Sequence, residues 1–194
     1  LAERGILERR EDLDGTGWLW LAEERLGRLA VDVMTPAEAA ECHRRWVEVL
    51  EEDRPEDGPG TLRRFDGLAR NLHGCGRKSR AARLFRMAGD VRKLRMDYHG
   101  ARIDWEDALR CYRSVDSSDR RVSRRVNAIK GRLLEAYRTL GTTKKIGRLL
   151  KSLPGFDGLA AQGEWMLLRR TGQVLLEAGR YRRAWQAYEA LERG

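Results

Sequence analysis

Between residues 119 and 140, apolar side chains recur at steps of three and four: Val122, Val126, Ile129, Leu133, Ala136, Tyr137 and Leu140. Arg121, Arg125 and Arg132 fall off that stripe. A period near 3.6 with one apolar face predicts an amphipathic helix. Read this way, the chain predicts about ten helices joined by short turns. They fall into antiparallel pairs: 17–33 with 36–53, 61–73 with 77–89, 90–101 with 105–115, 119–140 with 143–152, and 158–178 with 180–193. No segment sustains the two-residue alternation of β-branched residues that a half-buried strand needs. In "TPAE", Thr35 stands at an N-cap, Pro36 at the first helical position and Glu38 where a capping box wants its carboxylate. "RPEDGPG", residues 54–60, is the clearest loop.

The final pair carries the most regular pattern. Leu168, Gly172 and Leu175 stand on its first helix, Ala178-Gly179-Arg180 form its turn, and Ala184 and Tyr188 stand on its second. Two antiparallel helices approach closely only where one offers a small residue, with larger neighbours filling the space beside it. Gly179 occupies the position where a helix end needs a left-handed residue. Leu175 and Ala184 are nine residues apart, as are Leu72 and Ala81 in the stretch "NLHGCGRKSRAARLF". There Phe65, Leu68, Ala69 and Leu72 fill the first-helix positions, Ala81 and Phe85 the second, and Gly76 the turn. This spacing resembles the tetratricopeptide repeat, W-x2-L-G-x2-Y followed by A-x3-F. Trp105, Ala108 and Tyr112 fit the second helix of a third unit, with Met96 and His99 on its first. Tyr137, Gly141, Ile146 and Leu150 fit a fourth. The alanine-equivalent positions 81, 108, 146 and 184 are unevenly spaced, so the repeats are irregular. The resemblance covers residues 61–194 and implies an all-α, right-handed solenoid of about five helix pairs, with residues 1–60 an acidic N-terminal helical pair and possible cap.

Charge is segregated along the chain. Residues 1–60 hold 8 bases and 16 acids, whereas residues 61–153 hold 25 bases and 9 acids. Such a basic field attracts an anionic partner. Arginine supplies 33 of the 39 bases, and its planar fork suits carboxylates and phosphates. The richest apolar run, "GWLWLA" at 17–22, is too short to span a bilayer, so no membrane association is expected. Three cysteines, Cys42, Cys75 and Cys111, make an odd number without repeated spacing, which points to a reducing, cytoplasmic setting.

Catalytic and cofactor signatures are missing. "HGCGRKS" lacks the spacing of a phosphate loop: Arg77 separates Gly76 from Lys78, and Asn71 stands where the first glycine belongs. His73, Cys75, Cys42 and His43 do not form the two close ligand pairs of a structural zinc site. No serine or cysteine is matched with a histidine base and an orienting third group. Asp104 and Asp107 read as the cap and first turn of the helix carrying Trp105. The six tryptophans read mostly as core. The expected protein is non-catalytic, with neither metal nor cofactor.

In the family that the chain resembles, first helices line a concave surface that holds a peptide or a partner helix. The resemblance puts Arg63, Asp66, Arg70 and His73, Arg138, and Met166, Arg169, Gln173 and Leu176 on that face. Arg77, Lys78, Arg80, Arg121, Arg125 and Arg132 form a further basic patch. The expected function is a protein–protein adaptor for an acidic or helical partner segment. The alternative is a nucleic-acid-associated solenoid gripping phosphate backbone through residues 61–153. Opposite charge in the first 60 residues and the basic middle also admits a homo-oligomer or a place in a larger assembly.

Overall fold

The computed structural model describes residues 7–11, 17–21, 34–52, 60–115 and 119–193. A two-stranded antiparallel hairpin comes first: β1 (Leu7–Glu11) pairs with β2 (Gly17–Leu21) in the register Leu7↔Leu21, Arg9↔Leu19, Glu11↔Gly17. From Pro36 onward every described element is helical: α1 (Pro36–Glu52), α2 (Gly60–Gly74), α3 (Lys78–Leu94), α4 (Tyr98–Arg113), α5 (Arg120–Thr139), α6 (Thr143–Lys151), α7 (Phe156–Ala161), α8 (Trp165–Glu177) and α9 (Tyr181–Glu192). They stack in the order α1, α2, α3, α4, α5, α8, α9, with α6 laid on α5 and α7 against α8 and α9. The helical body is an all-α solenoid of antiparallel helices.

One device closes five of the turns. Gly76, Met96, Gly141, Gly163 and Gly179 have φ of 81°, 63°, 65°, 71° and 69°. A residue in this left-handed region ends a helix and aims the chain back. The next amide then reaches the last turn of the preceding helix. Asp97 N donates to Arg92 O at 3.0 Å, and Thr142 N to Tyr137 O, Glu164 N to Leu159 O and Arg180 N to Leu175 O, each at 2.9 Å. These bonds satisfy carbonyls that a helix end leaves orphaned. The α1 terminus is built as its sequence predicts. Thr35 N donates to Glu38 Oε2 at 2.8 Å, and Glu38 N donates to Thr35 Oγ1 at 3.3 Å, a reciprocal capping box.

The core follows the small–large logic. Ala81, Ala108 and Ala184 are buried, and Trp105, Leu72, Ile129, Leu133, Leu168 and Leu175 fill the space beside them. A Cβ on Gly172 would lie 2.9 Å from the Tyr188 ring, and one on Gly89 only 2.5 Å from Trp105 Nε1. These two glycines let α8 pack closely on α9 and α3 on α4.

Four expectations change. The helix expected over 17–33 is a strand at 17–21, and residues 22–33 lie outside the described set, as do 54–59 of the expected loop. "GWLWL" alternates tryptophan with leucine, a strand signal that the search for β-branched residues passes over. The third unit has no first helix of its own, because α3 runs unbroken to Leu94 and turns at Met96. Ala81 and Ala108 therefore lie on consecutive helices, which explains their short spacing. The helix expected over 158–178 is divided at Gly163 into α7 and α8. Finally, α4 begins at Tyr98 with Asp97 as its cap, accepting from Gly100 N at 2.8 Å. Asp104 is thus a buried mid-helix carboxylate and not a cap. Of the tryptophans with described side chains, Trp105 is core, whereas Trp46, Trp165 and Trp185 are exposed.

Candidate functional site

Charged side chains on successive helices meet in clusters that tie the stack together. On α3, Arg92 Nη2 lies 2.6 Å from Asp66 of α2, and its Nε donates to Asp104 of α4 at 2.8 Å. Burial opposes the Arg92 charge, but Asp104 and Asp66 outweigh it and hold the guanidinium more firmly protonated than usual. Burial and then the Asp66 carboxylate push Asp104 up to about 6, against the pull of Arg92. Asp90 accepts from Arg132 at 2.7 Å, Arg86 at 2.8 Å and the Trp105 indole at 3.2 Å. Glu135 of α5 joins Lys93 of α3 at 2.6 Å to Arg170 of α8 at 3.1 Å. Glu106 accepts from Lys145 at 2.7 Å and Tyr137 at 2.8 Å. Burial raises Glu106, yet these two bonds, together with the charges of Arg102 and Lys145, outweigh it and hold its carboxyl below the usual range. Burial, then the Glu106 bond, pushes the Tyr137 phenol upward.

The residues expected to form a concave row stand in different settings. Asp66 is taken by Arg92. His73 Nδ1 lies 3.4 Å from Cys111 Sγ. Arg138 bonds Glu177 at 2.9 Å, and Gln173 donates to the same carboxylate at 3.2 Å, so α5 and α8 bring these two residues together. Arg70, Arg169, Met166 and Leu176 are exposed, while Arg63 lies where side chains fall outside the described set. No hydrogen bond or ion pair joins the α2 members to those of α5 and α8 among the described residues. A groove of about 500 Å³ opens between α3, α5 and α8, and its cations Lys93, Arg132 and Arg170 are already matched by Asp90 and Glu135.

Unmatched positive charge lies elsewhere. Of the expected patch, Arg132 is committed to Asp90, while Arg77, Arg121 and Arg125 are exposed and form no ion pair among the described residues, and Lys78 is half-buried. Arg80 is exposed on α3. A larger cleft of about 680 Å³ opens between α4 and α5, bounded also by Ser152, Leu153 and Pro154, and Arg121 and Arg125 are not among its lining residues. Sequence reading missed its two cations, Arg113 and Lys130. Lys130 Nζ donates to Ser152 O at 2.8 Å, and neither cation forms an ion pair among the described residues. Burial, then Arg113, lowers the Lys130 pKa. No aspartate or glutamate lines the cleft among the described residues. On its wall Tyr112 is 2% exposed, and its hydroxyl has no hydrogen-bond partner.

The three cysteines are free. Burial, then Asp107, raises the Cys111 thiol, which disfavours the thiolate a nucleophile needs. Among the described residues no group of histidines, cysteines and carboxylates has metal-holding geometry, and no helix is long and apolar enough to cross a membrane.

Helical hairpins closed by left-handed turns and locked at glycine contacts define a helical-repeat solenoid. No protein-family model and no curated protein matches the chain. Among solved structures, it is similar to a Podospora anserina protein described as a kinesin light chain with nearly identical TPR-like repeats. The identity is 15% and the TM-score 0.41, over 87% of this chain and 90% of that one.

Proposed function

We propose that this solenoid is a non-catalytic protein-interaction scaffold that holds an acidic partner segment against the face formed by the end of α4 and the first half of α5. One observation carries the reading. The cations of the groove between α3, α5 and α8, Lys93, Arg132 and Arg170, are matched by internal carboxylates, whereas Arg113, Arg121, Arg124, Arg125 and Lys130 make no ion pair among the described residues. Cations without internal carboxylates keep their full capacity for bidentate contact with an incoming anion. Free thiols suit a reducing compartment.

Fluorescence anisotropy separates this reading from phosphate-backbone binding. A labelled oligoglutamate peptide and single- and double-stranded oligonucleotides are titrated across a salt series. The peptide is expected to bind more tightly than the nucleic acids, and reversing Arg121→Glu with Arg125→Glu to cost about tenfold or more. Tighter oligonucleotide binding with a steep log-linear salt dependence would instead make the basic face a phosphate tracker.

A further inference from the structure

Resting on that reading, we infer that the cleft between α4 and α5 is a carboxylate pocket, taking an aspartate or glutamate side chain of a partner protein together with an aliphatic neighbour. Lys130 uses one of its three N–H donors on Ser152 O, leaving two for an incoming oxygen. Across the cleft the Arg113 fork is exposed and unpaired. Burial of Lys130 without a counter-charge is costly, and a bound carboxylate supplies that charge.

The walls select what accompanies the carboxylate. Leu109, Val122, Val126 and Leu153 make them aliphatic. From Val122 to Lys130 the α5 backbone rises about 12 Å, the length of about four extended residues. A nucleic acid is disfavoured here, because Tyr112 is the one aromatic among the lining residues and its ring is too buried for a base to stack on. Charge and shape together favour a short acidic–aliphatic protein segment.

The test uses the full chain and two labelled peptides, acetyl-Gly-Leu-Glu-Val-Asp-Leu-Gly-amide and its twin with glutamine and asparagine in place of the acids. The acidic peptide is expected to bind, and the amide twin to bind about tenfold more weakly or worse. Lys130→Met should cut affinity by a similar factor, and Lys130→Arg should restore most of it. Arg113→Gln, an exposed change, gives the same readout should Lys130→Met disturb folding by circular dichroism. Equal affinity for the amide twin, displacement by oligonucleotide at equal charge, or no binding of either peptide overturns the pocket. Should Arg121→Glu with Arg125→Glu abolish oligoglutamate binding while Lys130→Met and Arg113→Gln change nothing, the scaffold reading stands and the pocket falls. Should none of these variants matter, both fall.

Discussion

Asp104 lies midway along α4, with its carboxylate 2.8 Å from Arg92 Nε and 5% of the residue exposed. Its folded pKa, about 6, exceeds the unfolded 3.8, so the native state binds this proton more tightly. Stability therefore rises as pH falls through 6, and the gain saturates near the unfolded value. Glu106 acts in the opposite sense, but only near and below its ordinary 4.5, outside that window. Urea titrations should give the wild type about 1 kcal/mol more stability at pH 5 than at pH 7. Asp104→Asn should flatten that slope, and an unchanged slope in the variant would place the titration elsewhere. The candidate site was only partly legible at this scale. Arg121 and Arg125 stand off the apolar stripe of α5 and were readable from periodicity. Lys130 and Arg113 matter because of which side chains do not face them, and the neighbours across a fold are not written in local sequence.

The left-handed turns explain how far the elements themselves could be read. Four of the five use glycine, and at Gly76 and Gly179 the residue type announced the turn. Gly163 carried the same signal, but the apolar pattern on either side bridges it. At Met96 no residue type marks the break, and the chain accepts a side chain at φ 63° where the α3–α4 contact dictates the turn. An L-residue there costs about 1–2 kcal/mol, partly offset because glycine would lose more entropy on folding. Met96 is 73% exposed and contributes little packing. Met96→Gly should thus stabilise the chain by about 0.5–1 kcal/mol, read as a rise of about 2 °C in melting temperature. A fall would mean that the Met96 side chain does more than occupy a turn. The β-hairpin was missed for a different reason: tryptophan, not a β-branched residue, supplies its alternation.

Over the whole molecule, stacked helices touch mainly their neighbours, so stability is passed along the array in nearest-neighbour steps. Glu135 links three of those layers through Lys93 and Arg170. Glu135→Gln should cost about 1 kcal/mol at low salt, the effect shrinking toward 1 M salt as the ions screen it. Hydrogen exchange should then show α8 and α9 losing protection ahead of α2–α4, whereas uniform loss would mean that the array opens as a single unit. The internal mesh also divides the life of a complex into two kinetic halves. Pairing an arginine with a neighbouring carboxylate removes neither charge from the far field, so the sign imbalance along the chain still steers collisions. Encounter frequency should therefore follow ionic strength and tolerate the loss of any one cation. Residence time depends on the few donors that the mesh leaves unspent, so changes there lengthen or shorten dissociation with little effect on arrival.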